Sequence, residues 1–180
     1  MYGLVNNSFK IMVESSHGTD IWRQIAAAAG TDITLFLNDE GYPDEITFNL
    51  VVAASNILET PVATLLQTFG RYWVTETASK RYGSLMTGMG ADVKTFLRYL
   101  PILHDRILLS FPKLKPPVFR VASEADNQMV MHYISERQGL SEFVVGLFLG
   151  IGDLFDQPVT VKSQPTQVDL GTHEIFTISW

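Results

Sequence analysis

The chain contains no cysteine. This absence excludes disulfides, thiolate zinc sites, iron–sulfur clusters and thiolate-ligated haem. Basic residues are also few, with 13 Lys and Arg against 19 Asp and Glu, and the formal net charge is −6. Because phosphate binding requires a basic patch, we do not expect nucleic acid as a partner.

Long apolar segments are absent as well. The longest runs from Phe143 to Leu154 and is interrupted by three glycines and Asp153, so it falls short of the roughly 20 apolar residues that span a bilayer. The first seven residues lack the basic start and apolar stretch of a signal peptide. The sequence therefore predicts a soluble, cytoplasmic protein with no membrane partner.

The 180 residues fit one domain, residues 1–180, better than two. A chain of this length buries a substantial core without disulfides or metal ions. Hydrophobic residues make up 46% of it, and the mean hydropathy of +0.13 is on the apolar side for a soluble chain.

Apolar periodicity predicts helices over the first two-thirds of the chain. Gly18 suits the end of the first helix, and Thr19 or Asp20 suits the cap of the second. Thr60-Pro61 is a favourable helix start, and Pro101 is a candidate kink in the helix that Asp92 opens. The predicted helices cover residues 5–17, 19–29, 44–57, 61–73 and 92–111, and residues 111–117 are predicted to be a proline-rich connector.

After Pro117 the period changes from helical to alternating, which predicts strands. One apolar helix, from Ser141 to Phe155, is expected among them, with Ser141 as its cap. The predicted fold class is therefore α+β, in which a helical N-terminal lobe precedes a small antiparallel sheet with a packed helix. The predicted strands cover residues 118–122, 129–137, 158–162 and 174–180.

One of the four histidines differs from the rest. His17, His132 and His173 have polar or loop-like neighbours or lie at predicted element ends, whereas His104 lies on an apolar helix face. With no second ligand of the Glu-x-x-His kind nearby, His104 makes a poor zinc or di-iron site. It suits haem, which requires one axial nitrogen and an apolar slot. The alternative is an ordinary core histidine, which is the commoner arrangement.

The segment Tyr133-Ile134-Ser135-Glu136-Arg137 carries a second candidate site. In a strand, Tyr133, Ser135 and Arg137 project from one face over roughly 13 Å. All three donate hydrogen bonds, and the Arg fork suits carboxylates, so the row suits the two propionates of haem. A solvent-facing polar strand face is the alternative.

Taken together, these residues resemble the H-NOX family of haem nitric oxide/oxygen binding domains, which includes the haem domain of soluble guanylate cyclase and bacterial stand-alone sensors. The resemblance covers essentially the whole chain. Its motifs are Met1-Tyr2-Gly3-Leu4-Val5-Asn6, Gly18-Thr19-Asp20-Ile21-Trp22, Phe69-Gly70-Arg71-Tyr72-Trp73, Leu103-His104, Phe111-Pro112 through Pro116-Pro117, Tyr-x-Ser-x-Arg at 133–137, Gly139-Leu140 and Gly146-Leu147.

The resemblance implies a b-type haem buried between the two lobes, with His104 as the proximal iron ligand. It implies that Tyr133, Ser135 and Arg137 bind the propionates, and that Pro117 presses on the haem and distorts it, which changes haem electronics. It also assigns Leu4 and Leu103 to the haem environment.

In O₂-binding members of the family, a distal Tyr donates a hydrogen bond to the bound gas. Aligned on Gly146, that position is Phe143, which has no donor. The resemblance therefore implies a sensor of NO and CO that excludes O₂. Trp73 and Leu147 are expected to line the same pocket. Trp73 carries an indole donor, but filling volume is its expected role.

The resemblance implies a signalling route without catalysis. NO weakens the bond trans to itself, so we hypothesise that release of His104 relaxes the haem against Pro117 and shifts the two lobes. The expected partner is a histidine kinase or a cyclic-dinucleotide enzyme. Two alternatives stay open, a catalytic or O₂-binding haem protein and a binding domain for an apolar small molecule.

Overall fold

The computed structural model of the protein describes residues 1–33, 35–110, 115–166 and 172–180, without the side chains of Thr87, Leu108, Leu109 and Ser110. Contacts within the chain divide it into two compact units, Met1–Phe69 and Gly70–Trp180. The boundary falls within one helix, α4, which covers Val62–Tyr72.

The first unit is helical, as the sequence predicts. It contains α1 (Gly3–His17), α2 (Thr19–Ala28), α3 (Asp44–Ile57) and the first turns of α4. Phe9 is fully buried at its centre, with the ring of Trp22 6.4 Å and that of Phe69 5.1 Å away. The predicted cap of α2 by Thr19 or Asp20 is wrong, because Gly18 occupies the N-cap position at φ +87° and no side chain caps the helix.

In the second unit, α4 is followed by helical segments that the sequence did not predict. A π-helix covers Trp73–Ala78, and α5 covers Ser79–Thr87, with Gly83 inside it. The long helix α6 then covers Val93–Ser110 and contains Pro101. A proline within a helix removes one backbone hydrogen bond. Of the predicted connector, Lys115–Pro117 is neither helix nor strand, and Phe111–Leu114 lie outside the described residues.

A four-stranded antiparallel sheet and one helix complete the second unit, which confirms the α+β fold class. The strand order is β1-β2-β4-β3, and the last helix α7 precedes β3 in the chain. Alternate residues of the strands are buried, among them Met131 and Phe176 at 0% exposure, and they pack with Phe148 of α7. The bounds are β1 Val118–Glu124, β2 Gln128–Ser135, α7 Ser141–Leu154, β3 Thr160–Thr166 and β4 Thr172–Ser179.

Two details of this region correct the sequence predictions. Strand β2 ends at Ser135, so Arg137 lies in the segment after the strand and not on its face. Leu140, not Ser141, occupies the N-cap position of α7, and no side chain caps the helix. The Ser141 hydroxyl instead donates to the Glu174 carboxylate of β4.

Within the described ranges, no single helix is long and apolar enough to cross a membrane. The helix pair Asp44–Ile57 and Val62–Met86 is long and apolar enough only when its two members are taken together, and it is bent by 115° at the break.

Candidate functional site

His104 lies on α6 beside the buried side chains of Leu97, Leu100 and Leu103. Its side chain is half-buried, but Nδ1 is shielded from solvent and has no hydrogen-bond partner among the described residues. An unsatisfied buried polar atom costs about 1–3 kcal/mol. Most buried histidines have their nitrogens satisfied, so this atom is available to a ligand.

The protonation state of His104 also suits a metal ligand. Burial lowers the pKa of the imidazole, while the backbone of Pro117 and the charge of Asp105 oppose that shift. Proline has no N–H, so this backbone contact is made by the Pro117 carbonyl. A neutral imidazole is the form that binds metals, and a backbone carbonyl is a common hydrogen-bond partner of a metal-ligating histidine.

Phe119 joins His104 to the sheet. Its ring is 5.4 Å from the His104 ring and 5.4 Å from the Tyr133 ring, measured between centroids. The sequence analysis did not single out Phe119, although its place two residues after Pro117 on an alternating strand was a signal that it faces inward. The structure thus places α6, β1 and β2 side chains in one aromatic and apolar cluster.

Two of the three polar residues of the Tyr-x-Ser-x-Arg motif interact on β2. Tyr133 is 2% exposed. Burial raises the pKa of its hydroxyl, the Ser135 side-chain hydrogen bond opposes this, and the charge of Glu174 reinforces it. Tyr133 therefore stays protonated at neutral pH and can donate a hydrogen bond.

The third residue, Arg137, is joined to the motif through its backbone. Its N–H donates to Ser135 Oγ at 3.0 Å, and its guanidinium Nη1 donates to the carbonyl of Lys115 at 2.8 Å. The Lys115 bond holds the guanidinium near the segment that leads through Pro117 into β1. The three motif residues therefore remain neighbours although β2 ends at Ser135.

Glu174 is a second residue that sequence reasoning missed. It is 9% exposed and pairs with Tyr133 in the β2–β4 register. Its Oε1 accepts from Ser141, whereas its Oε2 is buried without a partner among the described residues. No local pattern could have found it, because its position depends on strand register.

The predicted distal residues of the second unit also lie together. The rings of Trp73 and Phe143 meet edge-to-face with centroids 6.5 Å apart. Trp73, Phe143 and Leu147 are half-buried, and Trp73 and Leu147 pack against the core of this unit. Trp73 begins the π-helix, and single π-helical turns occur frequently at functional sites.

Two further residues, Leu103 and Leu4, were predicted to lie near the haem. Leu103 is 7% exposed and belongs to the same core as Phe119 and Tyr133. Leu4 is half-buried in the first unit, where its N–H donates to the Asn38 carbonyl at 3.2 Å. Its place beside a cofactor stays a prediction.

Comparisons with known proteins agree with the fold. A family model described as haem-NO-binding matches residues 2–163. The fold also matches an H-NOX protein of K. algicida in its Fe(II) unliganded state, with a TM-score of 0.86, 19% identity, and coverage of 99% of this chain and 96% of that one. An H-NOX protein of S. oneidensis in the Fe(II)NO state matches with a TM-score of 0.81, 18% identity, and coverage of 99% and 98%.

Curated relatives include the soluble guanylate cyclases gcy-35 and gcy-31 of Caenorhabditis elegans. The first is 27% identical over 192 residues, which is 99% of this chain and 27% of that protein. The second is 24% identical over 177 residues, which is 98% of this chain and 25% of that protein. The chain therefore spans about a quarter of the length of these relatives.

The family model, together with the fold, defines a haem-binding sensor domain. The family match over residues 2–163 makes the assignment specific: the chain belongs to the haem-NO-binding, or H-NOX, family. The residues present fit a haem. His104 would hold the iron through an imidazole nitrogen in apolar surroundings, and Tyr133, Ser135 and Arg137 would donate to the carboxylates.

Proposed function

We propose that this domain holds a b-type haem through His104 and senses NO and CO while excluding O₂. The observation that carries the proposal is the buried Nδ1 of His104, which has no hydrogen-bond partner among the described residues. Iron coordination would use one imidazole nitrogen, and the Pro117 carbonyl contacts the same ring. When bound, haem supplies a ferrous iron at which diatomic gases bind.

The chain's own residues would fix the orientation of the haem. Tyr133 is protonated and buried, Ser135 is hydrogen-bonded to it, and Arg137 carries a permanent positive charge. Two propionates need several donors, and charge-assisted hydrogen bonds from arginine are the strongest of these. Pro117 precedes β1 directly and contacts His104 through its carbonyl, which supports the proposal that Pro117 would press on the macrocycle.

Selectivity among gases would follow from the lack of a donor at Phe143. Bound O₂ carries partial negative charge and gains from a hydrogen bond, whereas NO and CO depend on one less. Phe143 presents only carbon and hydrogen, in edge contact with Trp73. The signal would begin with release of His104, the residue that would hold the iron. A histidine kinase, a cyclic-dinucleotide enzyme or a cyclase domain such as those of the relatives would read the resulting change.

Optical spectra of the reduced, purified protein before and after addition of NO, CO and O₂ test the proposal. We expect a haem Soret band that shifts with NO and CO and stays unchanged with O₂. Loss of the six-coordinate, His-ligated form under NO is expected if His104 is released. A colourless protein that takes up no added haem would refute the proposal and favour an apolar small-molecule site.

A second candidate, O₂ binding, is favoured by one observation. Trp73 carries an indole N–H and its ring contacts Phe143, at the predicted gas site. A stable O₂ complex in the unaltered protein, lost in Trp73→Phe, would establish that function. If Trp73 only fills volume, Trp73→Phe leaves the spectra with all three gases unchanged.

Phe143→Tyr is expected to create O₂ binding. A tyrosine hydroxyl at this position supplies the missing donor, and a hydrogen bond to a charged acceptor contributes about 1.5–3 kcal/mol. The O₂ affinity should therefore rise roughly 10- to 100-fold, while CO affinity changes much less. Gas titration followed at the Soret band measures both. Phe143→Leu is the control, because it changes the volume without adding a donor; equal O₂ binding by both variants would contradict the mechanism.

A further inference from the structure

Two histidines meet on the face of the sheet opposite Tyr133. Nδ1 of His132 lies 2.8 Å from Nε2 of His173, and the ring centroids are 5.1 Å apart. His132 lies in the middle of β2 and alternates with Met131 and Tyr133, whose side chains are buried on the other face. The proposed haem function uses neither histidine.

The β2–β4 register produces this contact. His132 pairs with Ile175 and His173 pairs with Ile134, so the two histidines are diagonal neighbours across adjacent strands. Both imidazoles are half-buried. The backbone ladder on both sides fixes the Cα positions, so two ring nitrogens are held together at little further cost in conformational entropy.

Two nitrogens 2.8 Å apart cannot each direct a proton at the other, so at least one of them presents a lone pair. A metal ion that displaces the shared proton would find two neutral imidazole nitrogens. At a metal–nitrogen distance of about 2.05 Å, two ligands at a right angle are about 2.9 Å apart. The observed 2.8 Å is a hydrogen-bond distance, and at this separation a rotation of both rings would turn the two lone pairs toward one ion.

We propose that His132 and His173 form a bidentate site for a divalent metal ion that prefers tetragonal geometry, such as Ni²⁺ or Cu²⁺. Imidazole nitrogens suit both ions, and right-angled ligand pairs belong to square-planar and tetragonal sites. Tetrahedral Zn²⁺ needs its nitrogens about 3.4 Å apart, so the pair fits Zn²⁺ less well.

The surroundings of the pair set its strength. Arg120 of β1 pairs with His132 in register, and Thr166 of β3 pairs with His173. Arg120 is exposed, so solvent screens its repulsion of a cation. Among the described residues no group of three or more His, Cys, Asp or Glu side chains could hold a metal, so water would complete the coordination. The site is thus an exchangeable one of modest affinity.

Calorimetric titration of the haem-loaded, ferrous, CO-bound protein with Ni²⁺ tests the proposal, because His104 is then engaged and the probe is not reduced. We expect one ion per chain. The affinity of two linked ligands for one ion exceeds that of a single ligand by about 10²-fold. His132→Ala and His173→Ala should therefore each weaken the affinity for Ni²⁺ roughly 100-fold. The affinity for Zn²⁺ should be lower than its place in the Irving–Williams order predicts.

Two further variants distinguish this site from metal binding elsewhere on the surface and from misfolding. His17 lies at the end of α1, exposed, and His17→Ala should bind Ni²⁺ as the unaltered protein does. Arg120→Gln should tighten binding about twofold by removing a like charge, which a misfolded variant would not do. Unchanged affinity in both His132→Ala and His173→Ala, or equal loss in His17→Ala, would overturn the proposal. Neither result bears on haem binding, which the Soret band reports.

Discussion

His104→Leu is expected to abolish proximal coordination while leaving the domain folded. Leucine approximates the imidazole in volume, suits the apolar environment of Leu97, Leu100 and Leu103, and removes the buried, unsatisfied Nδ1. Loss of a primary iron ligand should exceed the 10- to 100-fold loss of metal affinity that changes in outer partners cause. We therefore expect haem to dissociate at least about 100-fold more readily, as measured by transfer to an apo-globin acceptor.

The stability of the haem-free protein distinguishes a ligand from a packing residue. If Nδ1 is unsatisfied in the haem-free protein, replacing the imidazole with leucine should raise the free energy of unfolding by about 1–3 kcal/mol, less the contribution of the contact with the Pro117 carbonyl. If His104 served only the core through a hydrogen bond, the same change would destabilise the protein by a comparable amount. Urea denaturation of both haem-free proteins at pH 7 gives the sign.

His104→Gly completes the experiment, because it leaves a space that free imidazole can enter. Added imidazole should restore a Soret band and the NO response in this variant but not in His104→Leu. His17→Gly provides the control, since His17 is exposed at the end of α1. A His104→Gly protein that keeps an unaltered spectrum without imidazole would place the ligand on another histidine.

Local sequence patterns were sufficient for much of this architecture. Helical periodicity predicted α1 to α4 and α6, and alternation predicted a sheet after Pro117, because both patterns follow directly from which residues are buried. The apolar face of His104 was visible for the same reason. The identity of the bound group was not, since an apolar slot with one imidazole became specific only with the family motifs.

Features that depend on long-range contacts could not be predicted. The π-helix at Trp73–Ala78 packs against α7, where a Cβ on Gly150 would lie 2.9 Å from Val74 Cβ. Glu174 and Ser141 meet across 33 positions in the chain, and His132 and His173 across 41. Each contact depends on how strands or helices align, and alternation alone leaves that register open.

The end of β2 at Ser135 shows a different limit of prediction from the sequence. The alternation Tyr133, Ser135, Arg137 continues in the sequence beyond the point where the strand ends. The Ser135 hydroxyl accepts the Arg137 N–H, a side-chain bond that replaces the strand ladder. The motif therefore brings the right residues together, but through a turn after Ser135 and not through a shared strand face.

Gly70→Ala is expected to have a large effect on stability, because α4 crosses α7 at this residue with no room for a side chain. A Cβ on Gly70 would lie 2.2 Å from the carbonyl oxygen of Phe143 and 2.7 Å from the backbone nitrogen of Leu147. Both are backbone atoms inside α7, so neither can move aside by changing a rotamer. The alanine can be accommodated only if the two helices separate.

Overpacking of this kind typically costs about 1–3 kcal/mol and occasionally more. Because the obstructing atoms are backbone, we expect Gly70→Ala to reach about 3 kcal/mol, which lowers Tm by about 6–12 °C for a chain of this size. Gly83→Ala is the matched control. Gly83 lies inside α5 with no atom within 4 Å of its Cβ position, so alanine there should be neutral or stabilise by up to about 1 kcal/mol.

The same crossing links stability to the gas site, because Trp73 follows Gly70 by one helical turn and meets Phe143 on the opposing helix. Separating α4 from α7 should open the edge contact between the two rings. We expect the haem-loaded Gly70→Ala protein to rebind CO after photolysis at a changed rate, while Gly83→Ala rebinds CO as the unaltered protein does. If the Gly70→Ala protein has the same Tm as the unaltered protein and rebinds CO at the same rate, the close approach of the two helices does not determine the shape of the gas site.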